Sequence, residues 1–150
     1  MTDPGNKALV QPTLALTQNA ALGLLQSAVA KADTLGINAT VAVVDASGAL
    51  LAFVKMTGSF LVSAELARKK ARTAAGMGIN TVELEALLGT APARVLDGLT
   101  KAEDFTIIGG GIPLYADGIL VGGIGVSGGS EDQDIECALA AAKGNNLLKE

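Results

Sequence analysis

The chain has no histidine, no tryptophan and one cysteine, and its three Phe and one Tyr are only 3% of 150 positions. Without imidazole there is no Ser-His-Asp triad, no Cys-His dyad and no histidine metal ligand. General acid–base work is left to Asp, Glu, Lys, Tyr115 or water. The single cysteine, Cys137, excludes an intrachain disulfide. So few aromatics exclude a base-stacking platform. No basic stretch is longer than Arg68-Lys69-Lys70, and the net charge is −4, so a phosphate-binding surface and a nucleic-acid partner are not expected. No apolar run approaches the roughly 18 residues that cross a bilayer, although mean hydropathy is +0.44. Charged residues are 17% of the chain, against about 25% in an average domain, while hydrophobic residues are 49%. That apolar excess must be hidden by protein, which predicts a homo-oligomer, a dimer or larger. The first residues, Met1-Thr2-Asp3-Pro4-Gly5, lack the charged and apolar regions of a signal peptide, and a cytoplasmic location is expected.

What is present reads as one soluble domain. Residues 1–15 are expected to form a flexible N-terminal arm and 16–150 the folded domain. Thr17 is a helix N-cap, followed by Ala21, Leu25, Ala28, Val29, Ala32 and Leu35 on one face, with Gly36 placed to end the helix. Thr40 to Asp45 is a strand buried on both faces, and Leu50 to Met56 returns beside it after a turn at Ser47-Gly48. A second helix spans about Leu61 to Met77, with short helical turns near Val82–Leu88 and Pro92–Leu96. Phe105 to Ile108 is expected as a strand that continues through Leu114-Tyr115-Ala116. Asp117-Gly118 then turns it into the return strand Ile119 to Val126. A last helix runs from about Glu131 to Lys143, with Ser130 and Gln133 forming a capping box. Strands joined by hairpins, with helices grouped between them, predict an α+β fold with a central antiparallel sheet and flanking helices.

Several stretches could carry chemistry. Lys69, Arg72 and Thr73 share a helix face and could hold a carboxylate; a one-residue change in helix phase would put Lys70 in place of Lys69. The alternative is a solvated charged face. Pro113 would interrupt its strand, and the resulting bulge would expose N–H groups of Gly110 and Gly111 toward the same ligand. Asp134, near a helix start, either serves capping electrostatics or faces a pocket as a base or cation ligand. Asp134 and Tyr115 are the candidate catalytic residues. Lys69, Arg72, Thr73, Gly110, Gly111 and Pro113 are the candidate ligand contacts, and no metal site is expected. Asp45 reads as an Asx-turn acceptor and Cys137 as a small buried side chain. The glycine runs 109–111 and 122–125 match no phosphate-loop pattern.

The pieces Val43-Val44-Asp45, Lys70-Ala71-Arg72-Thr73-Ala74, Gly110-Gly111-Ile112-Pro113 and the stretch 122–134, in that order, resemble the GlcG/HbpS family. The resemblance covers about Leu16 to Lys143. It implies a profilin-like α/β sandwich and dimers that build larger oligomers. Family members include a haem-binding, redox-linked sensor, a protein of glycolate-utilisation loci, and the C-terminal domain of PduO-type corrinoid adenosyltransferases. The expected function is a small-molecule-binding homo-oligomer, with a small organic acid or aromatic held near a subunit interface. The alternatives are a catabolic lyase or isomerase working by proton transfer, and a haem or redox sensor. Haem is a cofactor of the family, but axial ligation here would fall to Tyr115, Met56, Met77 or Cys137. No cofactor is therefore expected.

Overall fold

A computed structural model describes residues 8–150; the arm expected over 1–15 lies partly outside the described residues, and 8–16 run without helix or strand. Thr17 caps helix α1 (Gln18–Leu35) by accepting the Ala20 N–H, and Gly36 ends it in the left-handed conformation, φ 70°. Strands β1 (Thr40–Asp45) and β2 (Leu50–Lys55) form the first hairpin. Its turn is held by Asp45, whose carboxylate accepts the N–H groups of Ser47 at 2.8 Å and Ala49 at 3.0 Å. Helix α2 (Leu61–Met77) follows, then a single 3₁₀ turn over Thr81–Glu83, a short α3 (Leu84–Leu88) and α4 (Ala93–Thr100). The second hairpin pairs β3 (Gly111–Ala116) with β4 (Ile119–Ser127), and α5 (Glu131–Gly144) closes the fold behind the Ser130/Gln133 capping box.

All neighbours in the sheet are antiparallel, in the order β2-β1-β4-β3, so β1 and the longer β4 meet at the centre. The strand period of two then divides the core. Val41, Val43, Ile112, Leu114, Ile124 and Val126 face α1 and α5, which pack with Ala21, Leu24, Ala28, Cys137, Ala138 and Ala141. Ala42 and Val44 face α2, which presents Ala67, Ala71 and Ala75. That second interface is unusually close. A side chain at Gly123 or Gly125 would run into the backbone of α2, which lies directly on β4.

Two local expectations differ from the structure. Phe105 to Ile108 is not a strand, and β3 begins only at Gly111. The segment is apolar enough to read as one, but among the described residues no strand lies beside it. Its N–H groups go elsewhere: Phe105 N–H to the Ala102 carbonyl at 3.3 Å, Thr106 N–H to Thr73 Oγ1 at 3.0 Å and Ile108 N–H to Thr106 Oγ1 at 3.2 Å. Pro113 does not interrupt its strand either. It pairs in register with Gly123 on an edge strand, where a missing donor is tolerated, and the register shift falls later, between Leu114 and Tyr115.

Candidate functional site

Helix α2 is buried along Ser63, Ala67, Ala71 and Ala74, and Lys70 lies on this same inward face. Lys70 is 1% exposed, the largest of the fully buried side chains. Its Nζ donates to Asp134 Oδ2 at 3.0 Å and to the Val126 carbonyl at 2.8 Å. Asp134, 3% exposed, sits in the first turn of α5, and its other oxygen accepts the Gly129 N–H at 2.8 Å. Gly110 makes room for the pair: a Cβ there would stand 3.0 Å from Lys70 Nζ and 3.1 Å from Asp134 Cβ. Burial pushes the Lys70 amine below its ordinary range, opposed by Asp134. Burial likewise pushes the Asp134 carboxyl up, opposed by Lys70 and the Gly129 N–H. Both shifts favour the neutral forms, as expected for charges withdrawn from water.

This pair lines a cavity of about 220 Å³. Phe60, Val62, Leu66 and Ile108 supply apolar walls, Ser63 and Ser127 hydroxyls, and Gly128 and Gly129 a stretch of bare backbone. Its rim adjoins an exposed apolar run at the start of α2, where Phe60, Leu61 and Val62 are 69%, 86% and 60% exposed. The arrangement offers one shared proton beside an apolar space.

The structure disperses most of the residues expected to form one cluster. Lys69 and Arg72 line a charged surface cleft with Glu65, Arg68, Glu103 and Asp104. Arg72 donates to the Gly48 carbonyl at 3.1 Å and to Asp104 Oδ1 at 2.9 Å. Thr73 donates to the Asp104 carbonyl at 3.0 Å, so both residues tie the segment before β3 to the rest of the fold. Gly111 gives its N–H to Thr81 Oγ1 at 3.0 Å and is packed against the α2 backbone. Pro113 lines a separate cleft beside Gly78 and Leu139. Tyr115 donates its hydroxyl to the Gly78 carbonyl at 2.9 Å, closing the αL end of α2. Tyr115→Phe is therefore expected to cost about 1 kcal/mol of stability, measured by urea unfolding. Of the expected set, Asp134 and Gly110 stand at the buried pair, and Lys70 takes the place offered to Lys69. Cys137 is buried against α1, and burial, with Asp134 and Glu136, pushes its thiol up to about 11. Among the described residues, no three of His, Cys, Asp and Glu converge to hold a metal ion, and no helix is long and apolar enough to cross a membrane.

Comparison with known proteins agrees with this architecture. The family model described as haem degrading protein HbpS-like matches residues 16–143. The corrinoid adenosyltransferase PduO of Salmonella typhimurium is 40% identical over 126 residues; the match covers 83% of this chain but only 37% of that protein. A crystal structure of PduOC in complex with haem superposes with a TM-score of 0.82 at 37% identity, covering 89% of this chain and 97% of that one. The crystal structure of HbpS gives 0.82 at 32% identity, covering 96% and 97%. The chain belongs to the HbpS-like family.

Proposed function

We propose that the protein is a small-molecule-binding homo-oligomer that takes its ligand in the Lys70–Asp134 cavity, close to a subunit contact. The observation that carries this reading is a buried, mutually paired lysine and aspartate at the wall of a cavity with apolar sides. Cavities of this character, with a few convergent polar groups and perturbed titration, are where ligands bind. Of the two ligand classes expected from the sequence, charge favours the aromatic. Lys70 and Asp134 already satisfy each other as a pair of no net charge, and Glu131 also lines the cavity. An acid would meet no free cation among the lining residues and would face the Glu131 carboxylate. About 220 Å³ suits a single ring bearing one polar group. The exposed run at Phe60 to Val62 lies where a second copy would cover the opening. Light scattering at micromolar concentration is expected to give a dimer or larger species, and a monomer mass would contradict it.

Benzyl alcohol is a suitable probe. It is expected to bind at least about tenfold more tightly than benzoate, and the Lys70→Met/Asp134→Asn double variant to bind it at least about tenfold more weakly, the loss of one hydrogen bond to a charged group. Arg72→Ala should leave that affinity unchanged while costing about 1 kcal/mol of stability, because Arg72 is half-buried and its ion pair with Asp104 is solvent-screened. Tighter benzoate binding, or an effect of Arg72→Ala on affinity, would move the site to the charged cleft. If the protein is an enzyme of proton transfer, Asp134 is the candidate base, since its carboxyl is raised and it lines the cavity.

Haem binding is the second reading, and it is favoured by the 37% identical PduOC–haem complex. Three of the four side chains named as possible iron ligands fit it poorly, and the fourth, Met77, is 39% exposed at the end of α2. Tyr115 is engaged at Gly78, Met56 Sδ accepts the Ala39 N–H at 3.3 Å, and Cys137 is buried. A haemin titration is expected to give no sharp six-coordinate Soret band. A stoichiometric complex that survives gel filtration and is lost on Tyr115→Phe would reverse this.

A further inference from the structure

We infer that Lys70 captures carbonyl compounds: an aldehyde or ketone entering the apolar cavity condenses with Lys70 Nζ, with Asp134 as the proton shuttle. The inference rests on the reading of this cavity as the ligand site.

The geometry supplies each part. Lys70 Nζ is held in place by the Val126 carbonyl at 2.8 Å and Asp134 at 3.0 Å, which occupies two of the three N–H donors of an ammonium group. The bare Gly110 leaves room for the end of the side chain, which a Cβ at 3.0 Å would crowd. Both Lys70 and Asp134 line the cavity, and Phe60, Val62, Leu66 and Ile108 keep its walls apolar. A desolvated lysine in an apolar site is the form that attacks carbonyl carbon, because only the neutral amine has a free electron pair. Among the described residues, Lys55, Lys101, Lys143 and Lys149 are exposed, Lys69 is half-buried in the charged cleft, and Lys31 pairs with the exposed Glu136.

The step balances without any oxidant or reductant. The Nζ electron pair forms the C–N bond while the carbonyl π pair moves to oxygen, which takes the proton held by Asp134. The nitrogen then returns a proton to Asp134, whose distance of 3.0 Å permits direct transfer. A second transfer from Asp134 expels the hydroxyl as water and leaves a C=N bond. The last N–H proton goes back to the carboxylate, so the pair ends as it began.

The test uses the intact protein, benzaldehyde as probe and sodium cyanoborohydride to reduce the imine at neutral pH, followed by peptide mass spectrometry. One benzyl group should appear on Lys70 in preference to Lys69, since the cavity holds the aldehyde beside Lys70 Nζ whereas Lys69 lies in the charged surface cleft. Excess benzyl alcohol should suppress this labelling. Asp134→Asn, which keeps an acceptor for the Gly129 N–H, should slow it, with circular dichroism used to show that the variant is folded. Labelling confined to exposed lysines, with Lys70 unmodified, overturns the proposal. If benzyl alcohol then still binds in a Lys70-dependent way, the cavity reading survives and only the condensation is lost. If it does not bind, both fall.

Discussion

Lys70→Met alone is expected to destabilise the protein by about 3–5 kcal/mol, because it leaves the Asp134 carboxylate buried without its partner. Lys70→Met/Asp134→Asn should recover most of that loss. The asparagine can still accept the Gly129 N–H, and no charge is left in the interior. A double variant well below the parent in stability would mean that the pair contributes net stability. The pH dependence follows from the directions of the two shifts. Asp134 is raised, so the folded state holds its proton at pH values where the unfolded chain has released it, and stability falls as pH rises through that window. Lys70 is lowered, so the folded state binds fewer protons than the unfolded chain between its depressed value and the ordinary one, and stability rises with pH there. Removing Lys70 takes away the cation that opposes the rise in Asp134. The deficit of Lys70→Met should therefore grow from about pH 5 to about pH 8. Urea unfolding of the four proteins of this cycle at both pH values measures it.

Gly125→Ala is expected to cost about 3 kcal/mol or more, at the upper end of overpacking effects. The new methyl would overlap the Ala67 carbonyl oxygen and stand 2.6 Å from the Ala71 nitrogen and 3.0 Å from Lys70 Cβ. These are mostly helix backbone atoms, which cannot swing aside as a side chain can. The helix must lift from the sheet, and in doing so it draws Lys70 away from Asp134, so affinity for benzyl alcohol should fall with stability. Gly76→Ala on the same helix is the contrast, since none of the described residues lies within 4 Å of the position its Cβ would take. It should raise stability by about 0.4–1 kcal/mol through the lower entropy of the unfolded chain. Thermal unfolding followed by circular dichroism distinguishes the two, and a Gly125→Ala protein as stable as the parent would show that α2 is not seated on bare backbone.

The elements with a strong periodic or turn signal were legible. TVAVVD between turn residues could only be a doubly buried strand, and it lies at the sheet centre. Asp117-Gly118 sets the second hairpin, and the Ser130/Gln133 pair begins α5. Phe105 to Ile108 misled because strand propensity describes an apolar segment without saying whether a partner strand exists beside it. Pro113 misled for the complementary reason, since whether a strand is central or at an edge is a property of topology. At the candidate site, Asp134 and Gly110 were both identified, while Lys70 stood only as the alternative to Lys69. The signal for Lys70 was present in its spacing from Ala67 and Ala74, which places it on the small-residue face that meets the sheet. Chemical expectation worked against it, because lysine is rarely buried. Ser63, Ile108 and Ser127 were missed entirely. They reach the cavity from three separate stretches of chain, a convergence that no local pattern contains.

The most direct test is a crystal structure of the protein grown in the presence of benzyl alcohol. The account predicts ring density between Phe60, Leu66 and Ile108, with the hydroxyl within hydrogen-bond distance of Lys70 Nζ or Asp134. It also predicts that the Lys70→Met/Asp134→Asn crystals lack that density. A ring bound instead in the cleft formed by Gly48, Arg72 and Asp104, or a Lys70 cavity filled by neighbouring side chains, would contradict it.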